Sequence, residues 1–133
     1  MVDDGPPILK ALQRILRRDR YKIYSTTSPA EGFDILAKHK ISLVICDQRM
    51  PEMSGAEFLT RVKEIHPTTI RIVLSGYSDL ESIIDSINKG SIYKFLFKPW
   101  DDEQLRTHVR EALDMHRVAE ENAQLITQLR EPD

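Results

Sequence analysis

Cysteine is almost absent from this chain of 133 residues. Cys46 stands alone, which excludes an internal disulfide and any metal centre built from several thiolates. Charge of one sign is missing too: the formal net charge is -2, so nothing points to bulk electrostatic binding of nucleic acid or of a membrane surface. No apolar run approaches the roughly 18 residues that a transmembrane helix needs, and the start carries no secretory pattern. What is present is ordinary: 41% hydrophobic and 30% charged residues argue for a folded chain, of a length suited to one domain. The expectation is a cytoplasmic protein.

Three short apolar runs stand out, Leu43–Cys46, Ile70–Leu74 and Ile92–Phe97. They are rich in β-branched or aromatic residues and bounded by turn residues, which favours buried strands. Lys22–Thr27 is a fourth, weaker candidate. Helical patterns lie between the runs. Ile8, Leu9, Leu12, Ile15 and Leu16 recur at helical spacing after Pro6 and Pro7. Capping spacings occur at Ser28 with Glu31, Ser54 with Glu57, Ser78 with Glu81 and Asp101 with Gln104. Gly90 falls where a left-handed residue closes the fourth helix. Helix and strand therefore alternate after the stub Met1–Asp4, which implies right-handed crossovers and a parallel sheet covered on both faces.

In such sheets chemistry collects beyond the carboxyl ends of the strands. Reading off those ends gives Asp3 and Asp4, then Asp47, Ser75 and Lys98. Any one of these is most simply a cap or a loop residue. Five at the appropriate ends form a constellation. Three carboxylates in one place repel each other unless a cation sits among them, and hard oxygen ligands suit Mg²⁺. A carboxylate beside such an ion, with a lysine and a hydroxyl at hand, is equipped to accept a phosphoryl group.

The runs Val2-Asp3-Asp4, Ile45 to Pro51, Met53-Ser54-Gly55, Leu74-Ser75-Gly76 and Lys98-Pro99-Trp100 resemble the receiver domain of two-component response regulators. The resemblance covers roughly residues 2–115. It implies a flavodoxin-like fold, with a doubly wound five-stranded parallel sheet of order 2-1-3-4-5 and five helices. It also implies that Asp47 is the phosphoacceptor, and that Asp3, Asp4, Asp47 and the main-chain carbonyl of Arg49 hold Mg²⁺. Ser75 and Lys98 are then expected to contact the phosphoryl oxygens, with Ser75 and Phe95 as switch residues acting on the face of the fourth helix, last strand and last helix. The implied partner is a sensor histidine kinase or phosphotransfer protein, and the domain is not itself an enzyme. The stretch from Ile92 to Asp101 looks most like receivers coupled to cyclic-di-GMP turnover domains. There are two departures: only Met1 and Val2 precede Asp3, so the first strand is expected to be short, and Gly5 stands where the family often has an acidic residue.

Two other classes compete. One is a phosphorylation-independent interaction or dimerisation module with the same fold. The other is a phosphohydrolase, disfavoured because Arg49 stands where a second acidic residue would serve as general acid. Lys10, Arg14, Arg17 and Arg18 fall at helical spacing and read as a solvated face. Cys46, Met50 and Met53 read as packing residues, and the four histidines as surface or helix-end residues. From Asp101 to Glu131 no glycine or proline intervenes. Residues 1–115 are therefore expected to form the receiver body and 116–133 a helical extension. Met115, Val118, Asn122, Leu125 and Leu129 alternate at spacings of three and four, the seam of a parallel two-stranded coiled coil. That seam makes a homodimer the expected assembly, and links the body to an output domain outside this chain.

Overall fold

The structure is a computed structural model that describes residues 1–130. Helices α1 (Pro6–Leu16), α2 (Pro29–Lys38), α3 (Gly55–Ile65), α4 (Leu80–Asn88) and α5 (Asp102–Arg130) alternate with strands β1 (Leu43–Asp47), β2 (Ile70–Ser75) and β3 (Lys94–Phe97). The strands form a parallel sheet of order β1-β2-β3. Both faces of that sheet are buried. Along β1, Val44 and Cys46 join a core with Leu36, Phe58, Leu59, Val62 and Ile83, under α2, α3 and α4. Ile45, between them, joins Leu12, Leu16, Ile72, Leu105 and Val109, under α1 and α5. The two-residue period of the pleat sorts the run into two cores, which is why it is apolar throughout.

The expected five-stranded sheet is corrected to three strands flanked by single bridges. Val2 forms isolated parallel bridges with Thr26 on one side and Cys46 on the other. It thus occupies the central place of the expected order without being a strand, since so few residues lead into it. The segment Lys22–Thr27 loses its ladder with it, and only Thr26 bridges. Ile92 is buried but precedes the ladder, which begins at Lys94.

The helix signals hold at most ends. The Ser28 and Ser54 hydroxyls accept from the Glu31 and Glu57 amides, at 3.3 and 3.1 Å, and Asp101 Oδ1 accepts from Glu103 and Gln104. Gly90 has a positive φ of 76°, at the turn after α4. Ser78 is not the cap of α4. Residues Tyr77–Asp79 form a 3-10 turn in which the Asp79 amide bonds back to Gly76, and α4 begins at Leu80. The four-residue basic stripe also divides. Lys10 and Arg14 lie on α1, whereas Arg17 and Arg18 fall in a 3-10 turn that ends with Arg20 in a left-handed conformation.

Helix α5 is pinned at two levels. Near its start Arg106 makes a two-pronged pair with Asp19, at 3.1 and 2.9 Å. Further along, Glu120 accepts a hydrogen bond from the Thr68 hydroxyl at 2.9 Å and faces Lys40 at 3.5 Å. The Arg106 guanidinium holds the Asp19 carboxyl below its usual range. A carboxyl whose folded pKa is depressed stabilises the fold above its unfolded value of about 3.9, and loses that contribution as pH falls through the folded value. Asp19→Asn is therefore expected to lower the melting temperature at pH 6, with the gap to wild type closing as pH falls through the depressed folded value. Thermal melts across that range check it.

Candidate functional site

Asp47 ends β1, and two hydrogen bonds fix its position in the sheet. Its own amide donates to Val2 O at 2.9 Å, and the next amide, of Gln48, donates to Leu74 O at 2.9 Å. Asp3 follows the bridging residue Val2, so the same contacts bring the first acidic pair to the rim that carries Asp47. Oxygens of Asp3, Asp4 and Asp47 lie within 4.8 Å of one another. Asp3 and Asp47 are buried, whereas Asp4 is exposed.

Lys98, one residue past β3, reaches into this cluster. Its Nζ lies 2.6 Å from Asp47 Oδ1 and 3.7 Å from Asp3 Oδ2. Asp3 Oδ1 accepts from the Gly5 amide at 2.8 Å, while Asp3 Oδ2 is buried with no hydrogen-bond partner. Burial pushes the Asp3 carboxyl above its ordinary value. The Gly5 amide opposes that shift, the Asp47 carboxylate adds to it and the Lys98 ammonium lowers it. A buried carboxylate oxygen without a donor, aimed into a group of carboxylates, is the environment that a hard cation relieves. The residues present fit a divalent ion.

Gly5, unexpected in sequence, acquires a role here. It is the N-cap of α1, its carbonyl accepts from the Ile8 and Leu9 amides, and its own amide serves Asp3. Ser75 ends β2 and is buried, and its hydroxyl donates to Gly76 O at 2.8 Å. The Lys98 amide donates to Ser75 O at 3.0 Å, which couples the ends of β2 and β3. Phe95 sits three residues before Lys98, half-buried against the α3/α4 core, and meets Phe97 edge-on at 5.2 Å.

Three features of the site are not readable from spacing. Gln48 is buried, and it clamps the start of α3 by accepting the Gly55 amide on its backbone oxygen and the Ala56 amide on Oε1. Gly55 is required by proximity, because a Cβ there would lie 2.5 Å from Asp47 O. Arg49 turns its side chain away from the acidic cluster. Its Nε pairs with Asp79 at 2.9 Å and its guanidinium reaches Ser78 Oγ at 3.2 Å, tying the loop after β1 to the turn after Ser75. The partners of Gln48 and Arg49 lie up to thirty residues away, so only the polar identity of each side chain was visible in advance.

The model of the family described as response regulator receiver domain matches residues 1–110. The chain belongs to that family. It is a receiver domain with the α/β receiver fold, a signalling module and not a catalytic enzyme, and the acidic triad is of the receiver Mg²⁺ type. Among curated proteins it is similar to the hydrogenase transcriptional regulatory protein HoxA of Bradyrhizobium diazoefficiens, 37% identical over 121 residues, which cover 91% of this chain and 25% of HoxA. The chain thus spans about a quarter of the length of the first curated relatives it matches. Among solved structures it is similar to an uncharacterized protein of Neptuniibacter caesariensis, with TM-score 0.88 and 40% identity over 99% of this chain and 93% of that one. It is also similar to the signal receiver domain of an HD domain-containing protein of Pseudomonas fluorescens, with TM-score 0.85 and 36% identity over 90% and 88% of the two chains. Receiver domains partner with histidine kinases, and among the described residues no helix is long and apolar enough to cross a membrane.

Two outcomes test this geometry. A carboxyl whose folded pKa is raised binds its proton more tightly in the folded state, so stability falls as pH rises from the unfolded to the folded value. Without metal, Asp3→Asn is therefore expected to melt about 2–5 °C above wild type at pH 7, with the difference shrinking toward pH 4. Gly55→Ala is expected to cost about 2–4 kcal/mol in urea unfolding, because the new methyl meets backbone and not a movable side chain.

Proposed function

We propose that Asp47 is the phosphoacceptor of a phosphorylation-controlled receiver, charged by a histidine kinase or phosphotransfer protein. The observation that carries this reading is the position of Lys98, whose ammonium lies against Asp47 Oδ1 at the junction of three carboxylates. A carboxylate oxygen of Asp47 attacks phosphorus as the donor's P–N bond breaks, and that electron pair returns to the donor's imidazole nitrogen. The product is an acyl phosphate. Asp3, Asp4, Asp47 and the Arg49 carbonyl would hold Mg²⁺, which when bound neutralises charge on the phosphoryl oxygens.

Lys98 is then the fixed cation for the transferred group. The Ser75 hydroxyl, which donates to Gly76 O in this structure, turns to a phosphoryl oxygen, and Phe95 moves inward on the same side. The fourth helix, last strand and last helix thereby acquire a second arrangement, favoured only when the phosphoryl is present. Intact-mass measurement with Mg²⁺ and a small phosphodonor tests the assignment. Wild type should gain one phosphoryl transiently and Asp47→Asn none, while Lys98→Ala should gain it more slowly. No gain in wild type would leave the phosphorylation-independent interaction module as the reading.

The body of the receiver is assigned to residues 1–115 and a connecting helix to the remainder. Met115, Val118, Asn122 and Leu125 are all exposed on α5, and Leu129, the last position of the seam, has a side chain outside the description. Apolar exposure at heptad spacing is best satisfied by a second copy, and Asn122 at an a-type position favours a parallel, in-register pair. The output joined to this helix is not common to the relatives, which include a transcriptional regulatory protein and an HD domain-containing protein. The cyclic-di-GMP likeness of the Ile92–Asp101 stretch fits an output of signalling-nucleotide chemistry. Sedimentation of the whole chain against one ending at Asp114 checks the pairing: only the longer form should dimerise.

A further inference from the structure

Arg71, the second residue of β2, sits half-buried at the end of the sheet away from Asp47. Its guanidinium donates to four main-chain carbonyls at 2.8–3.3 Å. Nη1 reaches Pro67 O and Thr69 O, in the turn between α3 and β2. Nη2 and Nε reach Gly90 O and Ser91 O, at the exit of α4. Burial lowers the pKa of this cation, and the acceptors that surround it are neutral.

Both segments that Arg71 grips are tied to a helix. At the exit of α4, Gly90 has its positive φ of 76°, the Ser91 amide donates to Ser86 O at 2.9 Å, and Lys63 Nζ donates to Lys89 O at 2.6 Å. The carbonyls of Gly90 and Ser91 therefore move with the last turn of α4. In the other turn, Thr68 lies between the two residues that Arg71 holds and serves α5 instead. Its hydroxyl donates to Glu120 Oε1 at 2.9 Å. Its carbonyl accepts from His116 Nδ1 at 3.0 Å, so that nitrogen carries the ring proton.

A guanidinium is planar and its donors point in fixed directions, so it passes on a displacement that a flexible ammonium would absorb. If the exit of α4 shifts, either two charged hydrogen bonds break or the turn from 67 to 69 follows. Breaking them strips a half-buried cation of its acceptors, which is the costlier outcome. The turn follows. Thr68 then pulls on α5, which is exposed beyond Glu120 and free to yield there.

We propose that Arg71 is a positioning residue that couples the exit of α4 to the Thr68 hold on α5, so that a shift of α4 loosens α5 at His116 and Glu120. Helix α4 starts directly after the turn that follows Ser75, and its nine residues make a rod of about 13 Å. A change beside Ser75 thus arrives at Gly90. The coupling belongs to the resting fold and does not depend on Asp47 being phosphorylated.

A double-mutant cycle on the whole chain tests it, read by the His116 imidazole nitrogen signals in NMR and by hydrogen exchange of amides 115–120. Gly90→Ala supplies the disturbance, because it forces a side chain into a positive φ at the exit of α4. Arg71→Lys cuts the coupler, keeping the charge and losing the fork. With Arg71 present, Gly90→Ala is expected to shift the His116 signals and to speed exchange of those amides about threefold or more. In the Arg71→Lys background it is expected to change neither. Should Gly90→Ala fail to fold, Lys63→Met disturbs the same turn by removing the amine from Lys89 O, and the same pattern is expected. No response at His116 from the folded variant, with Arg71 present, would overturn the proposal. Equal responses in the two backgrounds would overturn it as well, since Arg71 would then support the fold without coupling its parts.

Discussion

The pairing of β1 on both its edges is the constraint from which the rest of the site follows. The Asp47 amide is spent on Val2 O and the Gln48 amide on Leu74 O, so the point where the chain leaves the sheet is set to within one residue. Everything chemical is placed relative to that exit. Val2 carries Asp3 and Asp4 to it, β2 brings Ser75 up beside Leu74, and β3, in register with β2, delivers Lys98 one residue beyond Phe97. Parallel strands start their loops at the same end, and a sheet covered on both faces leaves that rim as the place where unpaired polar groups can gather.

The charge arrangement at the rim is an unfinished one. A single ammonium faces two buried carboxylates and one exposed carboxylate, and one buried oxygen has no donor. Structures seldom leave such a group unpaired unless function uses it. The fold tolerates the imbalance because the surrounding core is deep: Phe58, Leu59, Val62, Ile72 and Val73 are fully buried just beneath. Burial of each such side chain contributes about 1.5–3 kcal/mol, enough to carry a strained electrostatic site on one edge.

Local grammar explains how much of this could be read in advance. Ser28, Ser54, Asp101 and Gly90 work within four residues of themselves, and each does in the structure what its spacing implies. Asp47, Ser75 and Lys98 were legible because each sits where an apolar run stops. The misreadings share a cause of the opposite kind. Lys22–Thr27 has strand composition, but a strand exists only if its neighbour does, and its neighbour is the single residue Val2. Ser78 has a capping spacing, but Arg49 engages its hydroxyl from across the site. Gln48, Arg49 and Arg71, whose guanidinium serves four main-chain carbonyls of two loops, act over distances along the chain that no periodicity encodes.

The hold of Thr68 and Lys40 on Glu120 divides α5 mechanically. Up to that point the helix is clamped to the body; beyond it, residues through Thr127 are exposed. Ten residues of α-helix past the clamp measure about 15 Å, so a tilt of about 10° at the fulcrum sweeps the tip through roughly 2.5 Å. A displacement too small to disturb packing in the body becomes, at the far end of this lever, about half a helical turn's rise. If α5 carries the signal, as proposed, the length of stiff helix past the fulcrum sets how far a given tilt moves its tip, independently of the site.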